Sequence, residues 1–271
     1  MSYYEALGLT REPFSTSPDP AFFYHSSAHS TAIQRLEIAI RLKRGLSVIL
    51  GDVGIGKTTM SRALLQIFAN DEDYIFHIVL DPTYKSEFQF LTSLAKMFGI
   101  KPDTRSTLDY REEIQKYLFK KGVDEKKTVV LLIDECQKLS TPFLEILRTL
   151  LNYETNEYKL LQLVMVSQME LLPRIKKIKN FFDRISLKYI INPLDMEETK
   201  EMIEFRLIEA GLDPSRKIFT DEAIERIFDY TQGYPRKTSI VCHNALEALV
   251  MHDKSIVDSA LVSRVIDREI I

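Results

Sequence analysis

The residues of this chain best equipped for chemistry are Gly51, Asp52, Val53, Gly54, Ile55, Gly56, Lys57, Thr58 and Thr59, which satisfy GxxxxGK[ST] at every position. Gly51, Gly54 and Gly56 permit backbone angles and a closeness of approach that a Cβ would prevent. Their amides can therefore surround a phosphate at the positive end of a following helix. Lys57 would reach the β- and γ-phosphates of a nucleotide, and the Thr58 hydroxyl would bind Mg²⁺. This chemistry needs a strand before the loop and a helix after it. The apolar run from Leu46 to Leu50 and the helical spacing of Met60, Ala63, Leu64, Ile67 and Phe68 provide both.

Hydrolysis needs more than a phosphate cradle. A second apolar run, Thr128 to Ile133, delivers Asp134 and Glu135 at its carboxyl end. There Asp134 would hold the Mg²⁺ water shell and Glu135 would orient or deprotonate the attacking water. A third run, Leu160 to Val166, ends in Ser167 and Gln168, and the Gln168 amide either senses the γ-phosphate or closes a structural turn.

The stretch from Arg174 to Lys188 holds six cations (Arg174, Lys176, Lys177, Lys179, Arg184 and Lys188) against one acid, Asp183, a local charge of +5. It reads either as a solvated face or as a surface whose lysines, with Lys85 of the Thr83-Tyr84-Lys85 loop, meet DNA phosphate. Arg184 stands just before a further strand, Ile185 to Ile191, from which an arginine can reach a neighbouring subunit's ATP. Near the C-terminus, Gly233-Tyr234-Pro235-Arg236 places Arg236 at a helix start, where a cation is unfavourable unless an anion is close, so it is a candidate phosphate contact.

The elements that must position these groups alternate. Strands over 46–50, 74–80, 128–133, 160–166 and 185–191 are separated by helices, which predicts an α/β fold with a parallel five-stranded sheet flanked by helices. From Pro193 onward the pattern is all-helical, with an Asp195/Glu198 capping box, stops at Gly211 and Gly233, and Pro235 opening a helix. The expected organisation is an N-terminal arm and first helix over 1–45, a nucleotide-binding domain over 46–192 and a helical lid over 193–271. The arm is rich in proline and anchored by Phe14, Phe22, Phe23 and Tyr24; it is expected to close over the base or to pack a sheet edge.

Composition agrees with an ordinary folded protein: 271 residues, 45% hydrophobic and 28% charged, with a formal charge of -3 that gives no global field for nucleic acid. Cys136 and Cys242 show no metal-ligand spacing and are expected to be buried thiols in a reducing compartment. Met1 to Glu5 carries no basic-then-apolar leader, and no apolar run approaches the ~20 residues that span a bilayer. A cytoplasmic protein without membrane insertion is expected.

In this order the motifs resemble those of the AAA+ ATPases, and more closely the ExeA or general secretion pathway protein A group. The resemblance rests on Tyr3-Tyr4, Pro13-Phe14-Ser15, Ser17-Pro18-Asp19-Pro20, the phosphate loop, Leu132 to Ser140, Leu161 to Val164 with Gln168, Arg184-Ile185 and Gly233 to Arg236. It implies a P-loop NTPase fold with a helical lid, a Walker A loop, Walker B carboxylates at Asp134 and Glu135, a first sensor at Gln168, an arginine finger at Arg184 and a second sensor at Arg236. It also implies ATP and Mg²⁺ as ligands and a ring or helical homo-oligomer. Cys136, where alanine is usual, and Lys138, where an uncharged residue is common, depart from the pattern. Secretion members of the group add a membrane anchor and a cell-wall-binding domain. Stand-alone members resemble transposition ATPases that assemble on duplex DNA and direct a transposase. Three functions are therefore carried forward: a DNA-bound ATPase regulating a transposase-like partner, an ATPase assisting secretion or cell-envelope assembly, and a nucleotide-gated interaction module without turnover.

Overall fold

Strands made mostly of apolar side chains must be covered on both faces, and that requirement sets the architecture. In the computed structural model, which describes residues 2–17, 19–101, 106–178 and 180–269, β1 (Leu46–Leu50), β3 (Thr128–Ile133) and β4 (Leu161–Ser167) are buried at every position. β2 (Tyr74–Val79) and β5 (Ile185–Ile190) are less buried and occupy the edges. All neighbours pair in parallel, in the order β2-β3-β4-β1-β5.

Helices supply the cover. In chain order they are α1 (Tyr3–Ala6), α2 (Ser27–Arg41), α3 (Lys57–Phe68), α4 (Glu87–Met97), α5 (Thr107–Phe119), α6 (Thr141–Leu150), α7 (Leu171–Lys176), α8 (Met196–Glu209), α9 (Asp221–Thr231), α10 (Pro235–Met251) and α11 (Ser259–Glu269). The fold is the expected parallel α/β sheet with a C-terminal helical region. A buried polar side chain inside the sheet region, that of Gln162, is satisfied rather than orphaned. The Gln162 amide accepts the Gly45 N–H at 2.8 Å and donates to the Lys159 carbonyl at 2.8 Å.

The chain divides into two compact units. One comprises 30–53 and 61–191; the other comprises 1–29, 54–60 and 192–271. The first is built on the sheet, with Phe90, Leu94, Ile114, Leu118, Leu144 and Leu147 packed among the strand residues in a single core.

In the second unit, Leu7, Leu9, Phe14 and Phe22 of the arm share a core with Ile203, Leu207, Ile224, Ile227, Leu246 and Leu261. The arm thus anchors its aromatics in the helical region: Phe14 meets Phe219 edge-on at 6.2 Å.

Within the same unit the turn before α10 allows no side chain at one position. Gly233 has φ +71, and a Cβ there would lie 1.9 Å from the Leu194 carbonyl oxygen. The Leu194 N–H donates back to the Gly233 carbonyl at 3.0 Å. Gly233→Ala would combine left-handed strain with a main-chain clash, each costing about 1–3 kcal/mol. Thermal unfolding followed by circular dichroism should show a fall in Tm of roughly 5–15 °C, and an unchanged Tm would contradict the contact.

One element was not anticipated. The basic stretch after β4 contains the short helix α7, because Leu171, Ile175, Ile178 and Phe181 recur at a spacing that buries one face. Its cations occupy the remaining face.

Candidate nucleotide site

The phosphate loop leaves β1 and enters α3 at Lys57. Gly54 and Gly56 have φ of +77 and +98, the left-handed region that leads the chain around an anion-sized turn. The Arg236 N–H donates to the Gly54 carbonyl at 3.1 Å, and a Cβ on Gly54 would fall 2.8 Å from Cβ of Arg236. The sequence of the lid therefore fits a bare backbone at 54. Lys57 is only 6% exposed. An ammonium held at the positive end of a helix is favoured by a neighbouring anion, and a polyphosphate is such an anion.

His29 supports the loop from the arm side. Its ring lies between the Ser26 hydroxyl, 2.7 Å from Nδ1, and the Ile55 carbonyl, 2.9 Å from Nε2. Burial holds its pKa below the usual histidine value, so the ring is neutral, with Nε2–H donating to Ile55 and Nδ1 accepting from Ser26. Beside it a cleft is lined by Phe22, Phe23, Tyr24, Gly56, Thr59, Met202, Arg206 and Pro235. The half-buried Arg206 guanidinium donates to the Phe22 carbonyl at 3.2 Å, the Ser15 carbonyl at 3.3 Å and the Ser239 hydroxyl at 3.0 Å, and so ties the arm to α8 and α10. His29 and Arg206 had no signal in the sequence, because a histidine and an arginine on helices read as ordinary surface residues.

At the carboxyl ends of β3 and β4, neighbours in the sheet, the acidic pair is held by its own backbone. Asp134 is 2% exposed; its N–H donates to Val79 at 2.8 Å and its Oδ1 accepts the Glu135 N–H at 2.8 Å. Glu135 takes φ 54 and ψ 35, a left-handed conformation unusual for a residue with a side chain and a form of strain concentrated at functional sites. Its carboxylate accepts from the Gln137 amide at 2.7 Å. Ser167 and Gln168, at the end of β4, contact the same Gln137 side chain.

A family profile described as an AAA domain matches residues 40–175, half of the chain. The chain belongs to the AAA family. Within it the chain is similar to the general secretion pathway protein A of Aeromonas hydrophila, with 32% identity over 248 residues. That match takes in 91% of this chain but 44% of the relative, so the chain spans less than half of the relative's length. Solved structures share the fold at low identity. The ORC1 protein of Aeropyrum pernix in complex with DNA superposes with a TM-score of 0.69 at 15% identity, covering 95% of this chain and 69% of that one. The Thermotoga maritima RuvB branch migration motor gives 0.56 at 14%, covering 88% and 68%.

The remaining site candidates of this AAA protein are placed as follows. Arg184, at the start of β5, donates through Nη1 to the Asn152 side chain and to the Arg148 carbonyl at the end of α6. Arg174 is not part of a solvated face: Nη1 donates to the Gln137 carbonyl at 2.6 Å and Nη2 to the Leu139 carbonyl. Lys176 and Lys188 lie over the Phe182 ring, each 5.7 Å from its centre. Lys177 and Lys85 are exposed, whereas Tyr84 packs against Phe90 and Phe143, so the loop at 83–85 presents a lysine but no free aromatic. Lys179 lies outside the described residues.

Cys136 and Cys242 are both buried free thiols, and burial raises both pKa values, so neither is a nucleophile. The oxygen donors singled out for a metal, Thr58 and Asp134, are of the hard type that Mg²⁺ prefers. Among the described residues no helix is long and apolar enough to cross a membrane.

Proposed function

We propose that this AAA protein binds ATP with Mg²⁺, hydrolyses it, and uses nucleotide occupancy to control its own assembly. The observation that carries the reading is Glu135, a carboxylate fixed by a side-chain amide at the carboxyl end of β3. Ligands of open α/β sheets bind outside that end. In this reading Gly51 to Thr59 cradle the phosphates, and Lys57 neutralises the β- and γ-oxygens. Thr58 and Asp134 hold Mg²⁺, which when bound draws charge off the γ-phosphate. Glu135 takes the proton of the attacking water, Gln168 orients that water, and Arg236 contacts phosphate from the lid. Arg184 serves as the finger for the next subunit of a ring or helical homo-oligomer once it exchanges its Asn152 contact for a phosphate. The cleft between the arm aromatics and Met202 receives the base.

The assembly acts on duplex DNA, where it directs a transposase-like partner. The exposed Lys85 and Lys177 favour this reading, as does the likeness in fold to proteins solved with DNA. A second reading, assistance to secretion or cell-envelope assembly from the cytoplasmic side, is favoured by the 32% identity to general secretion pathway protein A. A binding-only module is disfavoured, because such a module has no use for a fixed carboxylate at position 135.

The test combines sedimentation and phosphate release. With ATP and Mg²⁺ the protein should release phosphate and shift to a larger species, and a chelator should abolish the release. Retention on duplex DNA that falls steeply with salt, and that weakens in Lys85→Ala/Lys177→Ala, supports the DNA reading. No retention at low salt removes DNA and leaves the secretion reading; no phosphate release removes the hydrolytic one.

A further inference from the structure

Gln137 is the side chain at this site whose two ends both have prescribed partners. Its Oε1 accepts the Ser167 hydroxyl at 3.0 Å and the backbone N–H of Gln168 at 3.2 Å. Its Nε2 donates to the Glu135 carboxylate at 2.7 Å. A backbone N–H can only donate and a carboxylate can only accept, so the amide has one orientation that satisfies both.

The segment carrying Gln137 is itself fixed. Arg174 grips its carbonyl at 2.6 Å, Lys138 N–H bonds back to the Glu135 carbonyl at 2.9 Å, and Leu139 N–H to the Cys136 carbonyl at 3.1 Å. The two partners of the amide lie on adjacent strands: Glu135 follows β3, and Ser167 and Gln168 end β4.

We propose that Gln137 is a positioning residue that couples the β4 terminus to the Glu135 carboxylate, so that the position of residue 168 sets the aim of the group that activates water. The inference rests on the reading of Glu135 as the base for water. Because one short, rigid amide spans both contacts, a displacement of the Gln168 main chain must be followed by the carboxylate or must break a charge-assisted hydrogen bond. The carboxylate is thereby ready when residue 168 is in register and misplaced when it is not. An error of about 1 Å in a reacting group can cost on the order of 10²-fold in rate.

Two substitutions separate the ends of the amide. Gln137→Ala removes both contacts. Gln137→Glu keeps the shape and an oxygen for Ser167 and Gln168 but replaces the donor facing Glu135 with an acceptor. In steady-state phosphate release, both are expected to lower kcat by about 10- to 100-fold, with KM and the affinity for a fluorescent ATP analogue changed less than about twofold and Tm retained. In a double-mutant cycle, Glu135→Gln/Gln137→Ala should be no slower than Glu135→Gln alone, since Gln137 acts only through that carboxylate. Unchanged kcat in both Gln137 variants overturns the inference, as does a loss that adds in full to that of Glu135→Gln. If Glu135→Gln itself turns over like the unaltered protein, the reading beneath the inference fails instead. Should Gln137→Ala lower Tm or analogue binding, Gln137→Glu and Ser167→Ala, which removes only one hydroxyl donor, decide the matter by the same kcat measurement.

Discussion

Glu135→Gln is expected to retain nucleotide and to lose turnover by about 10²- to 10⁴-fold, the usual contribution of a positioned base. The substitution changes one carboxylate oxygen to an amide nitrogen at constant shape. The remaining side-chain oxygen can still accept the Gln137 amide that Glu135 accepts at 2.7 Å. The shape of the side chain is kept, so affinity should hold while the proton has no acceptor. The variant should therefore accumulate in the ATP-bound state and sediment as the assembled species for far longer than the unaltered protein. Phosphate release and sedimentation on the same sample check it. Undiminished release would remove Glu135 from the mechanism and return the protein to a nucleotide-gated binding module.

The parts of this chain that were legible in sequence are those specified by near neighbours. β1 and β3 are largely apolar runs of five and six residues, interrupted by Ser47 and opened by Thr128, and the sequence places both at the observed bounds. The capping box at Asp195 is a three-residue pattern, and its side chain accepts the expected N–H. The phosphate loop is likewise a local pattern whose two central glycines have positive φ.

What escaped the sequence depends on partners far along the chain. Gln137 bonds to residues 30 and 31 positions away, and Arg206 holds carbonyls of the arm nearly two hundred positions away. No spacing rule announces such contacts, because tertiary packing creates them. The stretch around 174–188 misled for a related reason. Its charges are conspicuous, but Leu171, Ile175 and Phe181, all buried, decide its conformation and leave Arg174 pointing at main-chain carbonyls. Backbone strain at Glu135 is equally invisible, since a glutamate at φ 54 has no compositional mark.

Lys57→Ala is expected to abolish nucleotide binding and, with it, nucleotide-driven assembly. The argument is electrostatic. Lys57 is the first residue of α3 and is 6% exposed, so its ammonium sits where the helix dipole is already positive and water is scarce. Those conditions strengthen its attraction to a polyphosphate, because the charges meet in a region of low dielectric. Alanine is the best helix former, so α3 should persist in the variant. Loss of one charge-assisted contact to each of two phosphates, about 1.5–3 kcal/mol apiece, predicts affinity lower by about 10²-fold or more. Titration of a fluorescent ATP analogue measures the loss, and the rise in Tm on adding ATP reports it independently, since a ligand stabilises only in proportion to its occupancy. An ATP-induced rise in Tm equal to that of the unaltered protein would show that the loop binds its phosphates through the main chain alone. The switch would then have to be sought in Arg236, whose amide already meets the loop at Gly54.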